Sequence, residues 1–275
     1  MSEELLALAR EVGREAADFV QRSRPAGRVA VAATKSSPTD DVTEIDRATE
    51  DLIRSRILTR RPDDGFVGEE GHDVSGISGV EWIVDPIDGT VNFVYGIPAY
   101  AVSIAAAVDT PGGGAGPRAA DGRVVVGYVV NVVAGEEWAA VRGEGAWQLD
   151  GDRRHRLTAP DPPVLAHALV GTGFHYVPEI RARQAAAVAR LLPQVRDIRR
   201  TGSAALNLCE LAAGRLDAFV EQGLKPWDRA AGGLIATEAG LVLSGLDGEP
   251  DERLVMAAHP AIVEEYFALV RACGF

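Results

Sequence analysis

The sequence predicts a mixed fold, part α+β and part α/β, from three observations: a helical opening, a strand-rich middle, and a second half in which strands and helices alternate. Leu5, Leu6, Leu8, Ala9, Val12, Ala16 and Phe19 recur at helical spacing, and Ile45, Ala48, Leu52, Ile53 and Ile57 do the same, so two amphipathic helices open the chain. Lys35-Ser36-Ser37-Pro38-Thr39-Asp40 is rich in turn formers and supplies a cap for the second helix. Strand-forming runs follow at 66–68, 82–84, 101–108, 124–133 and 137–141, and residues 110–122, rich in Gly, Pro and Ala, are expected to be a surface loop between two of them. Beyond residue 160 the pattern predicts an apolar run at 165–170, helices at 178–192, 204–213, 228–239 and 261–271, and strands at 195–198, 217–221, 241–243 and 254–258. Without an internal repeat or a proline-rich linker, residues 1–275 are expected to form one compact body with two lobes, 1–150 and 151–275.

Charge narrows the function. Against 28 Lys and Arg stand 40 Asp and Glu, a net charge of -12, and a nucleic-acid or anionic-membrane binder needs the opposite balance to neutralise phosphates. Cys209 and Cys273 lie far apart and outside any CxxC spacing, so neither a disulfide framework nor a thiolate zinc site is indicated, which fits a reducing cytoplasm. The N-terminus has early acids and no apolar core of a signal peptide. No stretch approaches the ~18 to 20 apolar residues of a membrane-spanning helix; residues 124–133 come nearest and are interrupted by Gly127 and Asn131.

The chemistry is carried by carboxylates. There is no G-x-S-x-G, no G-x-x-x-x-G-K-[ST] and no H-E-x-x-H, and His72, His155, His167, His175 and His259 show no ligand spacing. Instead Gly68-Glu69-Glu70-Gly71 follows a short strand, Trp82-Ile83-Val84-Asp85-Pro86-Ile87-Asp88-Gly89-Thr90 sets two aspartates at the end of a buried apolar strand, and Trp227-Asp228 opens a helix. Two negative groups at the edge of a core repel one another unless a cation intervenes. Mg²⁺, which takes oxygen ligands and retains waters, suits such a set. Taken singly, Asp-Pro-x-Asp-Gly is also turn chemistry and Asp228 also a helix cap; their combination in this order is what is specific.

In that combination the chain resembles the inositol monophosphatase family, within the larger group that includes fructose-1,6-bisphosphatases, and most closely its bacterial SuhB-like branch. The matching pieces are Lys35 through Asp40, Val42-Thr43-Glu44-Ile45-Asp46, Gly68-Glu69-Glu70, Trp82 through Phe93, Arg200-Thr201-Gly202-Ser203-Ala204-Ala205, and Trp227 through Gly233. The resemblance implies a layered αβαβα sandwich, a homodimer, inhibition by lithium, and two to three Mg²⁺ per active site. It implies that Glu69, Asp85 and the Ile87 carbonyl hold one ion, that Asp85, Asp88 and Asp228 hold a second, and that a third sits near Glu69. Thr90 would orient the attacking water with Asp46 fixing its hydroxyl and Glu70 in support. Gly89 and Thr90 backbone N–H groups would receive phosphate oxygens, and Gly202, Ser203, Ala204, Asp88 and Glu221 would contact the substrate in a pocket closed near Thr172, with Lys35 and Thr172 as further candidate contacts.

The expected reaction is hydrolysis of inositol monophosphate to inositol and phosphate by metal-activated water, without a covalent intermediate, a two-ion strategy suited to a very slow uncatalysed reaction. Members with nearly the same ligands hydrolyse histidinol phosphate, fructose-1,6-bisphosphate or 3′-phosphoadenosine-5′-phosphate, so histidinol phosphate is the second substrate reading. A third, non-enzymatic reading is a regulatory partner of the transcription machinery, using the basic run from Arg196 to Arg200, which otherwise reads as a strand edge. Lys225 reads as a solvated loop lysine or as an added phosphate or hydroxyl contact. The acidic balance makes substrate attraction conditional on metal: phosphate affinity is expected to collapse with EDTA, and tight metal-free binding of inositol-1-phosphate by calorimetry would refute this account.

Overall fold

The structure, a computed structural model, describes residues 1–25, 27–34, 41–71, 73–109 and 124–275. The turn at 35–40 with Lys35, the residue His72 and the loop at 110–122 lie outside the described residues. In chain order the elements are α1 (Ser2–Ser23), β1 (Ala33–Thr34), β2 (Asp41–Val42), α2 (Glu44–Arg60), β3 (Gly65–Gly68), β4 (Val80–Asp88), α3 (Thr90–Tyr95), β5 (Ala101–Val108), β6 (Val124–Asn131), β7 (Glu137–Val141), β8 (Gly145–Asp150) and β9 (Arg153–Leu157). They continue with β10 (Leu169–Thr172), α4 (Pro178–Leu191), β11 (Asp197–Arg199), α5 (Ala204–Ala212), β12 (Ala218–Glu221), α6 (Pro226–Glu238), β13 (Val242–Ser244), β14 (Val255–Ala258) and α7 (Val263–Cys273).

Five layers result. A seven-stranded sheet runs β3-β4-β5-β6-β7-β8-β9 and a five-stranded sheet runs β11-β10-β12-β14-β13. Helices α1 and α2 cover the outer face of the larger sheet, α5 and α6 fill the space between the sheets, and α4 and α7 cover the smaller sheet. Both faces of the larger sheet's central strands are therefore dry, which explains why β5 (AVSIAAAV) reads as an unbroken apolar run and not as an alternation. Along that strand Val102, Ile104 and Ala106 pack toward α1 while Ala101, Ala105 and Ala107 pack toward α5 and α6. No helix among the described residues is long and apolar enough to cross a membrane.

Two strands, β8 and β9, were not expected. Gly145 (φ 114°) and the exposed basic run Arg153-Arg154-His155-Arg156 disguise them, because an edge strand carries charge on the side that has no neighbour. Since β9 pairs with β8, the larger sheet continues past residue 150, the boundary expected between the lobes.

Small residues set the spacing of the central layer. A methyl group built on Gly127 in β6 would lie 2.7 Å from the Ala231 carbonyl oxygen and 3.0 Å from its Cα, so only glycine lets α6 seat on the sheet. Cys209 of α5 is wholly buried in this same layer. We expect Gly127→Ala to cost about 1 to 3 kcal/mol by overpacking, read as a lower midpoint in urea denaturation; an unchanged midpoint would show that the helix can shift without penalty.

Candidate active site

The crevice between the two sheets is bounded by the carboxyl end of β4 and the amino ends of α3, α5 and α6, and its cavity of about 320 Å³ is lined by residues from every one of them. Its chemistry begins with a departure from regularity in β4. Asp85 pairs with Ser103 and Asp88 with Ala101, so β4 spends one residue more than β5 over this interval. In a regular strand residues three apart face opposite ways; the extra residue restores parity and turns both aspartates to the α5/α6 face. Pro86 sits within the bulge, where its missing N–H is tolerated. The strand thus continues through Asp88, whereas the sequence suggested that it ends before the aspartates.

Asp228 reaches the same point from α6. It occupies the first turn of that helix, where its Oδ2 accepts from the Lys225 backbone N–H at 2.6 Å. Carboxylate oxygens of Asp85, Asp88 and Asp228 all lie within 4.8 Å of one another, a group that could hold a metal ion. Glu69 lines the cavity beside them, within hydrogen-bonding reach of Asp85. Only oxygen donors are offered, which fits a hard divalent cation.

Burial and mutual repulsion mark the cluster. Asp85 is 1% exposed and its carboxyl is pushed well above the ordinary range, first by burial and then by the charges of Glu69, Asp88 and Asp228. Asp228 is raised by the same two causes. Asp88 is raised to about 6 by burial, held back by hydrogen bonds from the Ser203 hydroxyl at 2.6 Å and the Ala205 N–H at 2.7 Å. Those donors stand at the amino end of α5, where the helix dipole also favours the charge.

Thr90 and Asp46 form the adjoining unit. The Thr90 hydroxyl lies 3.1 Å from Asp46 Oδ1 and 3.1 Å from the Ile87 carbonyl oxygen. Asp46 is immobilised as the third helical residue of α2: its Oδ2 accepts from the Thr43 N–H at 2.9 Å and from the Thr43 hydroxyl, a reciprocal capping box. Asp46 is 1% exposed and raised to about 6, chiefly by burial. Glu70 lies behind, its side chain only 3% exposed, with Arg47 Nε 3.9 Å from its Oε2 and its backbone N–H donating to Glu50 at 2.8 Å.

The same cavity is also lined by Gly173, Phe174, His175, Arg200, Glu221 and Lys225, with Gly202 and Ala204. Glu221 is pushed up to about 8 by burial and by the Asp88 charge, against which Arg200 draws it down. Its carboxylate fills the space where a side chain at Gly173 would stand.

Glu69, Asp85, Ile87, Asp88, Gly89, Thr90, Gly202, Ala204, Glu221 and Asp228 all line one cavity, and Asp46 reaches it through Thr90. Two assignments need correction. Ser203 is buried, with its hydroxyl committed to Asp88 and accepting from the Leu206 N–H at 3.1 Å, so it positions a carboxylate and does not face substrate. Thr172 itself is 1% exposed inside β10 and off the wall, which is formed by the segment directly after it, Gly173 through Tyr176. Lys35 lies outside the described residues. Thr43 was missed as a support although the Thr-x-x-Asp spacing announces it. Arg200, read as part of a basic strand edge although it also opens the matching piece Arg200 through Ala205, lines the cavity.

A five-layered body with a carboxylate-lined crevice of this kind is shared with known phosphatases. The chain matches the inositol monophosphatase family over residues 1–274. It is 44% identical to the inositol-1-monophosphatase of Mycobacterium bovis over 283 residues, covering 97% of this chain and 93% of that one. The structure of Mycobacterium tuberculosis SuhB superimposes with a TM-score of 0.81 at 42% identity, covering 100% of this chain and 98% of the other. A 37% identical relative covering 88% of this chain and 86% of its own is the Nus factor SuhB of Escherichia coli. The protein is thus a phosphatase by class, and the chain belongs to the inositol monophosphatase family.

The raised carboxyls predict how metal-free protein responds to pH. Asp46 and Asp88 start from 3.8 and reach about 6 when folded, so the folded state binds their protons more tightly. The stability this contributes is complete below 3.8 and lost as pH rises through about 6. Metal-free protein should lose thermal stability across that window, Mg²⁺ should restore it above pH 6, and Asp88→Asn should raise the metal-free Tm at pH 8 while blunting the Mg²⁺ response. A wild-type Tm indifferent to Mg²⁺ at pH 8 would contradict the cluster's role.

Proposed function

We propose that the protein hydrolyses inositol monophosphate to inositol and phosphate with two to three Mg²⁺ in the crevice. The observation that carries this reading is the convergence of Asp85, Asp88 and Asp228 within 4.8 Å beside the Thr90–Asp46 hydrogen bond. Glu69, Asp85 and the Ile87 carbonyl would hold one ion and Asp85, Asp88 and Asp228 a second, with a third near Glu69. When bound, Mg²⁺ supplies positive charge to the phosphoryl oxygens and acidifies water.

The chain's own residues do the rest. Asp46 accepts the Thr90 proton, which leaves a lone pair of the Thr90 oxygen available to take a hydrogen bond from the attacking water and aim it at phosphorus. Glu70 supports this corner through Arg47 and Glu50. Gly89, in the left-handed region at φ 99°, brings its N–H and that of Thr90 toward the phosphate end, and Asn92 ties this turn to the opposite wall by donating to the Ala99 carbonyl at 2.6 Å and the Thr201 carbonyl at 2.7 Å. Gly202, Ala204, Asp88 and Glu221 receive the inositol ring. With its proton held to about pH 8, Glu221 can donate to a ring hydroxyl as well as accept from one. Water attacks directly, and no protein residue becomes phosphorylated. Under this reading the enzyme is a cytoplasmic, lithium-sensitive homodimer, in keeping with its family.

A phosphate-release panel over inositol-1-phosphate, histidinol phosphate, fructose-1,6-bisphosphate and 3′-phosphoadenosine-5′-phosphate tests the reading. We expect inositol-1-phosphate to rank first by kcat/KM and Thr90→Ala to lower kcat by about 10²- to 10⁴-fold. A preference of ~100-fold for histidinol phosphate would replace the substrate, a threshold set at about 2.7 kcal/mol of discrimination. Wild type as inactive as Asp88→Asn at saturating Mg²⁺ would favour the non-enzymatic role suggested by the Nus factor name of the Escherichia coli relative.

A further inference from the structure

Three cationic or basic side chains, His175, Arg200 and Lys225, line the cavity, and they differ in what engages them. Lys225 Nζ is held 2.7 Å from Glu252, turned to the exposed rim. His175 Nδ1 accepts from the Val177 N–H at 3.0 Å, which anchors the ring to its own loop. Arg200 makes no hydrogen bond or ion pair with any described residue, while its neighbour Arg199 is ion-paired with Asp197 at 2.6 Å outside the cavity.

The Arg200 guanidinium lies down on the backbone of Gly202. A methyl group built there would stand 2.7 Å from Arg200 Nη1 and 2.7 Å from Asn92 Nδ2, so the absent side chain at Gly202 is what admits both. The Gly202 carbonyl in turn lies against Gly89 at the phosphate end. From this seat the Arg200 charge acts on Glu221 and on Asp88, drawing each carboxyl down against the burial that raises it. The guanidinium is therefore within electrostatic reach of both Asp88 and Glu221 while lining the same cavity.

Resting on the phosphatase reading above, we propose that Arg200 is the specificity-determining residue of the alcohol subsite, selecting leaving groups that offer hydroxyl or anionic oxygens and rejecting those that carry an ammonium. A guanidinium has five N–H donors, no acceptor and a permanent charge. It donates to a polyol oxygen or to a second anionic group on the leaving alcohol. The ammonium of an amino alcohol offers it no acceptor and is repelled at short range. Because the side chain is exposed, the effect is screened by salt.

The experiment compares wild type, Arg200→Ala, Arg200→Lys and Arg199→Ala in saturating Mg²⁺, at low and high salt, on inositol-1-phosphate and on histidinol phosphate. Where turnover of histidinol phosphate is too slow, its Ki against inositol-1-phosphate replaces kcat/KM. Arg200→Ala should lower kcat/KM for inositol-1-phosphate by about tenfold or more, mainly through KM, and leave or improve the recognition of histidinol phosphate. Arg200→Lys should recover part of the discrimination, Arg199→Ala should keep the wild-type ranking, and high salt should narrow the wild-type ratio. Equal losses on both substrates would make Arg200 a phosphate contact or a structural residue and overturn the proposal, as would the same shift in Arg199→Ala. A wild type that releases no phosphate from either substrate overturns the phosphatase reading itself, a failure seen before any variant is compared.

Discussion

The repulsion among Asp85, Asp88, Asp228 and Glu69 is the constraint around which the molecule is arranged. At the junction of two sheets the charges of Glu69 and Asp88 raise the proton affinity of both Asp85 and Asp228, and the fold surrounds the cluster with compensation. Asp88 receives the amino end of α5, Asp228 the Lys225 N–H, and Asp85 the Ile87 N–H at 3.0 Å. Asp85 and Asp228 accept from backbone two or three residues away and Asp88 from α5, and all three also line the crevice. A cation completes what the backbone begins, since carboxylates that repel when bare become mutually supporting around a positive charge.

The layers serve this arrangement. The bulge in β4 turns two aspartates to one face, but they meet Asp228 only because α6 seats closely on β6 at Gly127. The Ser103 hydroxyl, opposite Asp85 in the sheet, also donates to the Trp227 carbonyl at 3.3 Å and so links the strand pair to the start of α6. Packing in the central layer and the position of the ligand set are for this reason one problem, and side chains far from substrate share in it.

Much of this could be read in advance, and the limits of the reading have physical causes. Periodicity revealed α1 and α2 because burial there is one-sided, and the Asp85 to Thr90 and Trp227-Asp228 pieces were legible because turn chemistry and helix starts are local. Strands β8 and β9 were not, since Gly145 opens the first and the charged run of the second, the sheet's edge, hides its strand character. Ser203 was mistaken for a substrate contact because sequence shows that a hydroxyl is near the site but not which way it turns. Arg200 was overlooked for the complementary reason: its place in the cavity is decided by the glycine two residues on, whose missing side chain makes room for it.

The burial of Cys209 gives the protein a native reporter of its own breathing. The thiol lies in α5, the helix whose first turn holds Asp88, and its proton is kept by burial well above the usual thiol range. A thiol in that state is inert to modifying reagents until the layer opens, so its rate of labelling measures local opening and not surface chemistry. The other cysteine, Cys273, is buried against α4 at the far side of the smaller sheet, which separates the two signals in space. Filling the crevice should therefore be legible as a change in the clock of one cysteine against the other, without any label having been introduced.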